Sequence, residues 1–186
     1  PPPEGMVFVP PGIYRMGDDE TEPGQTVTLP HGFYIDQHEV TRREYGEFLR
    51  ATGQSTPPAL ASLFVEAEAD SALPIQGVTS DEASAYAAWA GKILPTEEMF
   101  ECAARGQDGL KYPWGNEWNP KAAVFGFGPT AAGDATKDKS PCGAVHMAGN
   151  VAEWTSTETT GVPQLLPRLG VPPSGAEAQK PDRKSV

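Results

Sequence analysis

The sequence predicts an α+β protein with an irregular fold that combines short strands, about three helices and many loops. Twenty glycines and twenty prolines among 186 residues break the chain into short pieces, which argues against a helical bundle or a long parallel sheet. Short apolar segments near the N-terminus are typical of strands, and three later segments carry helix-capping signals. A single domain of this length buries about 70% of its unfolded surface, so a sizeable core is available.

The first forty residues are predicted to form two pairs of short strands. Met6 to Val9 and Ile13 to Met16 flank a Pro-Pro-Gly turn at 10–12 and predict a hairpin. Thr26 to Leu29 and Phe33 to Asp36 predict a second pair, whose alternation leaves one face apolar.

The first helix has the clearest sequence signals. Thr41 is the expected N-cap, Glu44 completes a capping box, and Gly53 ends the helix. Tyr45 and Phe48 share one face with Leu49 and Thr52, so we expect this helix to pack an aromatic stripe against a sheet. A role in the core is the expected one for that stripe.

Two more helices follow after a loop, at 55–70, that is expected to hold one or two helical turns. Thr79 and Glu82 repeat the capping-box spacing and begin a helix closed by Gly91. The third helix runs from Thr96 as N-cap to Gly106, with acidic residues in its first turn, where the helix dipole favours them.

Composition limits the classes of partner. The formal charge of −11 and pI near 4.6 exclude nucleic acid and anionic membrane as expected partners, because both require a basic face. No apolar run approaches the roughly 20 residues of a membrane span. The remaining expectation is a protein or small-molecule ligand. Cys102 and Cys142 lie far apart, and Cys102 is expected to be a structural core residue.

The stretch from Gly143 to Trp154 is the densest in chemical groups. Gly149 and Asn150 form a turn dipeptide, since Gly accepts positive φ and Asn tolerates the left-handed region. The carbonyls of Gly149 and Val151 and the Glu153 carboxylate would make part of a calcium cage, because calcium prefers roughly 6–8 oxygen ligands. The alternative is a buried turn in which Glu153 is an ordinary surface acid.

An aromatic, turn-rich run begins at Tyr112. Its candidate ligand-binding residues are Tyr112, Trp114, Asn116 and Trp118, because long irregular segments often carry function. Simple core packing of these rings is the alternative.

Three motifs stand in order along the chain: GKILPTEEMFECAARG at 91–106, YPWGN at 112–116 and MAGNVAEW at 147–154. Together they resemble the formylglycine-generating enzyme family, also called sulfatase-modifying factors. Three earlier blocks, MVFVPPGIYRMG, EVTRREYGEF and LPIQGVTSDEASAYAAW, extend the resemblance from Met6 to Trp154. It implies the irregular α+β fold shared with C-type lectins, sometimes with bound calcium. We therefore expect a linker at 1–5, a domain of this family at 6–160, and a disordered tail at 161–186, which is rich in Pro, Gly, Ser and charge.

The resemblance also describes an activity. Family enzymes oxidise a substrate cysteine to formylglycine with O₂, using two cysteines that hold copper in a block after MAGNVAEW. We do not find that block in the sequence, and Cys102 and Cys142 do not occupy its motif, so copper is not expected in this chain. Related iron oxygenases use three histidines, whereas His31, His38 and His146 lack the clustered spacing.

The calcium ligands that the resemblance implies are His146, Gly149, Val151 and Glu153. His146 stands where the family has an oxygen-bearing Asn or Asp, and imidazole suits zinc or copper better than calcium. A second family calcium site would fall between Ala122 and Asp138, with Asp134 as its candidate ligand.

Two functions remain open. The first is a non-catalytic module that acts in ligand or protein recognition or in regulation. The second is a formylglycine-generating oxidase whose copper-binding cysteine segment is missing from this chain.

Overall fold

The structure is a computed structural model of the chain. It describes residues 1–17, 24–64, 71–125, 128–133 and 137–156, together with the backbone of 163–165. In chain order the elements are β1 (Met6–Val9), β2 (Gly12–Met16), β3 (Gln25–Leu29), β4 (Phe33–Asp36), α1 (Arg42–Thr52), a 3₁₀ helix (Pro58–Phe64), α2 (Ser80–Trp89), α3 (Glu97–Arg105), β5 (Trp154–Ser156) and β6 (Pro163–Leu165). This mixture of short strands, helices and long loops confirms the predicted fold class.

The four N-terminal strands lie where the sequence predicts them, but the predicted pairing is wrong. β1 pairs with β4, and β2 pairs with β3, both antiparallel, so one hairpin is nested inside an outer strand pair. Only Pro10 and Pro11 separate β1 from β2. A two-residue hairpin turn requires positive φ at its central residues, whereas proline holds φ near −65°, so β1 and β2 cannot form a tight hairpin.

All three predicted helix starts are confirmed. Thr41 and Thr79 each form a complete capping box with the glutamate three residues later, and the Thr96 side chain accepts from the Met99 amide. Gly53 ends α1 in the left-handed conformation. The expected helical turns within 55–70 are a 3₁₀ helix, and residues 65–70 lie outside the described residues.

Two hydrophobic cores lie side by side. The first joins the nested strands, α3 and the turn after Cys142, and contains Val9, Tyr14, Phe100, Cys102, Ala103, Ala104, Ala144 and Met147. The second joins α1, the 3₁₀ helix and α2, and contains Tyr45, Phe48, Leu49, Leu60, Ile75, Val78 and Tyr86.

The prediction that α1 packs against a sheet is wrong. Its aromatic stripe packs against α2 and the 3₁₀ helix, with the Phe48 ring 5.7 Å from the Tyr86 ring and 5.6 Å from the Trp89 ring. Tyr86 of α2 and Leu60 of the 3₁₀ helix are buried in the same core as Tyr45 and Phe48, so these two elements cover the stripe. It is α3 that packs against strand β2.

Strand β6 falls inside the segment expected to be a disordered tail. Its backbone pairs antiparallel with β5, and Leu165 lies opposite Trp154. The rest of the tail lies outside the described residues, so its predicted disorder stays a prediction. Among the described helices, none has the length and apolar composition needed to cross a bilayer.

Candidate functional site

The turn from Gly143 to Trp154 connects the two cores. Ala144 and Met147 belong to the first core, and Trp154 packs against the second. The Trp154 indole nitrogen donates to the Val78 carbonyl over 3.1 Å, and the Ser156 amide donates to the Pro95 carbonyl over 2.8 Å. The C-terminal end of the turn is therefore held by two residues that precede it by more than fifty positions.

The backbone of the turn bends at two residues that are not glycine. His146 and Asn150 both have φ of 61°, in the left-handed region that Asn and His tolerate better than most residues. The expected conformation of Asn150 is confirmed. Gly149, in contrast, has no positive φ, and its lack of a side chain serves close packing: a Cβ there would lie 2.8 Å from the Val124 carbonyl oxygen.

A buried polar network holds this turn against the start of α1. Nδ2 of Asn150 lies 2.9 Å from Oε1 of Glu39 and 3.2 Å from the Thr130 carbonyl, and Nδ1 of His146 lies 3.1 Å from Oε2 of Glu39. We place a hydrogen on Nδ1 of His146. With this tautomer the imidazole donates to Glu39, and both amide hydrogens of Asn150 also have an oxygen acceptor. Glu39 is only 6% exposed, so its two oxygens depend on these donors.

Asp138 accepts hydrogen bonds from the backbone of the same turn. Its Oδ2 accepts a hydrogen bond from the Ala148 amide over 3.1 Å, and its backbone carbonyl accepts from the His146 amide over 2.9 Å. Burial raises the pKa of the Asp138 carboxyl from 3.8 to about 6, partly offset by the Ala148 amide and by His146. The carboxyl of Glu39 adds to the increase.

One of the four candidate calcium ligands is occupied within the protein: His146, which stands where an oxygen ligand is expected, bonds to Glu39 instead. The two carbonyls and one carboxylate that remain, from Gly149, Val151 and Glu153, offer three or four oxygens, fewer than the roughly 6–8 that calcium prefers. Across the described parts of the chain, no group of three or more His, Cys, Asp or Glu residues is arranged to hold a metal ion. Calcium binding stays a prediction, and Asp134 lies outside the described residues.

Glu153 faces a cavity. Its side chain is half-buried, and its pKa lies well above the usual value, first because of burial and then because Glu39, Asp138 and Asp36 repel its negative charge. It is therefore not the ordinary surface acid of the alternative interpretation.

The cavity lies between the two cores and has a volume of about 470 Å³. Most of its lining is apolar, and six aromatic residues contribute to it: Phe33, Tyr34, Tyr45, Tyr86, Phe100 and Trp154. The residues with titrating or charged side chains in the described lining are Asp36, His38, Glu39, Lys92 and Glu153. Tyr34 and Ile93 are 43% and 77% exposed and mark its opening to solvent. Its volume lies within the roughly 300–1,000 Å³ of small-molecule sites.

The aromatic run at 112–118 lies elsewhere. Tyr112 is buried, its ring stacks on Trp114 at 5.1 Å, and Trp118 packs on both rings. Asn116 is exposed and accepts a hydrogen bond from the Lys111 amide. None of these residues lines the cavity described above. The three aromatic rings pack against one another. A role of these four residues in ligand binding stays a prediction.

Both cysteines belong to the first core. Cys102 is 2% exposed, and burial raises the pKa of its thiol to about 11, with Glu101 and Glu98 contributing. Cys142 is half-buried, its Sγ lies 3.1 Å from the Ser140 hydroxyl and it donates to the Ala103 carbonyl. Copper binding requires accessible thiolates, so these two thiols do not fit a copper site.

Sequence reasoning missed Asp36, Glu39 and Lys92. Glu39 looks like any polar residue before a helix cap, and its importance depends on contacts with residues more than 100 positions later. Lys92 bonds both oxygens of Asp36, at 2.7 and 2.9 Å, across 56 residues. The short segment Asp36 to Glu39, with two acids and a histidine just before a capped helix, is a signal that could have found the two acids.

Comparison with known proteins identifies the family of the chain. The chain belongs to the family described as the sulfatase-modifying factor enzyme 1-like domain, whose model matches residues 1–179. The predicted resemblance is thus confirmed.

Three relatives illustrate the range of the family. The chain is 30% identical to a formylglycine-generating enzyme of Thermomonospora curvata, over 81% of this chain and 70% of that protein. It is 39% identical to the inactive C-alpha-formylglycine-generating enzyme 2 of Bos taurus, over 46% of this chain and 33% of that protein. The solved structure of PvdO from Pseudomonas aeruginosa superposes with a TM-score of 0.63 at 25% identity, covering 81% of this chain and 69% of that one. The chain thus spans a third to about 70% of these relatives.

Proposed function

We propose that this protein is a non-catalytic member of the family that recognises a small ligand in the cavity between its two cores. The observation that carries the proposal is the cavity itself, about 470 Å³ with a mostly apolar and aromatic lining and a few charged groups. Apolar lining with a small number of oriented polar groups is the usual composition of a ligand site. Exposed Tyr34 and Ile93 at its opening add apolar surface that a ligand would cover.

The positions of the thiols support a role without oxidation. Cys102 is buried and holds its proton, and Cys142 is bonded within the first core. A relative named as inactive shows that the family includes members described as lacking the activity. The alternative is a formylglycine-generating oxidase whose copper-binding cysteines come from a segment outside this chain.

Binding of a neutral apolar probe tests the recognition function. N-phenyl-1-naphthylamine is uncharged at neutral pH and fluoresces when it leaves water, so we expect it to bind saturably. Ala83 lines the cavity, whereas Ala88, on the same helix, is exposed and does not. Ala83→Leu should therefore weaken probe binding, and Ala88→Leu should leave it unchanged.

Thermal melts of both variants control for folding. If the probe does not bind the parent protein, or binds both variants equally, the cavity is not a ligand site and the proposed function fails.

A further inference from the structure

The charges in the cavity are unevenly distributed. Its described lining includes the carboxyl groups of Asp36, Glu39 and Glu153, together with His38, one lysine and no arginine. A cavity whose lining carries an excess of one charge selects ligands of the opposite charge, since the low-dielectric walls focus the field.

Lys92 does not offset this imbalance for a ligand. Its ammonium bonds both oxygens of Asp36, so these two charges neutralise each other. An anionic ligand would have to compete with Asp36 for Lys92, and this makes an anion a poor occupant.

Glu39 and Glu153 differ in their surroundings. Glu39 is almost fully buried, and its oxygens accept from His146 and Asn150. Glu153 is half-buried and lies among other carboxyl groups, with no basic side chain among the described residues shown bonded to it. Burial and these neighbours favour the protonated form of Glu153, and an ammonium group bound beside it would stabilise the carboxylate and lower its pKa.

The rest of the lining favours an organic cation over a metal ion. Tyr45, Tyr86 and Trp154 are among the aromatic residues that line the cavity, and aromatic rings attract ammonium groups. An apolar wall contributes nothing to a hydrated metal ion, which needs several oxygen ligands. No metal-holding group of acidic, His or Cys side chains exists within the described residues.

We propose, building on the recognition function above, that the ligand of this cavity is an organic cation: an amine whose ammonium group pairs with Glu153 and whose apolar body packs between the two cores. Glu153 is then the specificity-determining residue, and the apolar lining supplies most of the contact area.

Three probes of matched length test the charge preference: 4-phenylbutylamine, 4-phenylbutanol and 4-phenylbutyrate. Calorimetric titration at about 0.15 M salt limits the effect of the net negative charge, because the Debye length is then about 8 Å. We expect the amine to bind about tenfold tighter than the alcohol, equivalent to about 1.4 kcal/mol, and the carboxylate to bind weakest.

Glu153→Gln tests the assigned residue, since it removes the carboxyl group that the ammonium would pair with and keeps the size. The amine should then bind no better than the alcohol. Glu47→Gln is the matched control, because Glu47 is exposed on α1 and does not line the cavity. It makes the same chemical change and should leave the preference unchanged.

Each outcome is decisive. Equal binding of amine and alcohol by the parent protein overturns the inference while the recognition function stands, and this holds even if Glu153→Gln fails to fold. An amine preference that survives Glu153→Gln, or that Glu47→Gln also removes, overturns the role of Glu153. If neither these probes nor N-phenyl-1-naphthylamine binds, both this inference and the recognition function fail.

Discussion

The side-chain amide of Asn150 donates a hydrogen bond to the carboxylate of Glu39, 2.9 Å away and 111 residues earlier in the chain. This contact fixes the turn from Gly143 to Trp154 against the segment that begins α1. Both groups are almost fully buried, so removal of either one leaves the other with one hydrogen bond fewer and little access to water. The position of Glu153 at the cavity therefore depends on a polar network that no local sequence pattern reveals.

Substitution of Asn150 tests this network. Asn150→Gly keeps the left-handed backbone but loses the amide bonds, and we expect a loss of about 1–3 kcal/mol. Asn150→Asp should cost more at pH 7, because it places a second carboxylate beside Glu39. Urea melts at pH 7 and pH 5, each compared with the parent protein at the same pH, separate the two effects: the loss in the Asp variant should be smaller at pH 5 than at pH 7, and the loss in the Gly variant should not change. Equal pH dependence would contradict the assigned contact.

Asp138 predicts a specific pH dependence of stability. Its folded pKa of about 6 exceeds the unfolded 3.8, so the native state binds more protons between these values. Stability should therefore fall as pH rises from about 4 to 6, by at most roughly 3 kcal/mol at about 1.4 kcal/mol per unit of pKa shift. Asp138→Asn keeps an oxygen acceptor for the Ala148 amide and should remove this part of the slope. The difference between the two stability curves measures it, and parallel curves would show that Asp138 titrates normally.

Local patterns predicted the helices and strand positions well. Thr41, Thr79 and Thr96 are side chains whose capping bonds reach only three residues along the chain, so a short window of sequence contains the whole interaction. Strand pairing was not contained in such a window. It depended on Pro10 and Pro11 blocking a tight hairpin, and on which apolar faces met after folding.

The candidate site was predictable only in part. The sequence singled out Glu153 and the turn at Asn150, both of which prove to be structurally central. Glu39 and Lys92 were not found, because their roles arise from contacts across 107 and 56 residues. A cavity between two cores is a property of packing, and no periodicity in the sequence encodes it.

The aromatic stripe of α1 predicts unequal effects of two substitutions. Thr41→Ala should cost about 1 kcal/mol through loss of the cap, and Phe48→Ala about 3–5 kcal/mol through a cavity among the rings of Tyr45, Tyr86 and Trp89. Thr41→Ser retains the hydroxyl and serves as the control for the cap. Urea melts give the free energies of unfolding, and equal losses for the two Ala variants would contradict the observed packing.

Calcium binding at the turn is predicted to be weak. The carbonyls of Gly149 and Val151 and the Glu153 carboxylate supply at most four oxygens, while His146 is bonded to Glu39. We expect a dissociation constant of about 1 mM or higher, so saturation at about 100 times this value, with about 2.7 kcal/mol of stabilisation, is out of reach. Thermal melts with calcium and with chelator measure the shift, and Glu153→Gln should remove what remains. A large shift at micromolar calcium would show a complete cage.

Recognition without oxidation is the central claim, and a peptide assay tests it most directly. The purified chain is incubated with a Cys-x-Pro-x-Arg peptide, copper and oxygen, and mass spectrometry follows the peptide. Because Cys102 and Cys142 are both bound within the first core, we expect the peptide cysteine to remain unchanged. Formation of the aldehyde, together with its loss in Cys102→Ala or Cys142→Ala, would show that the protein is an oxidase.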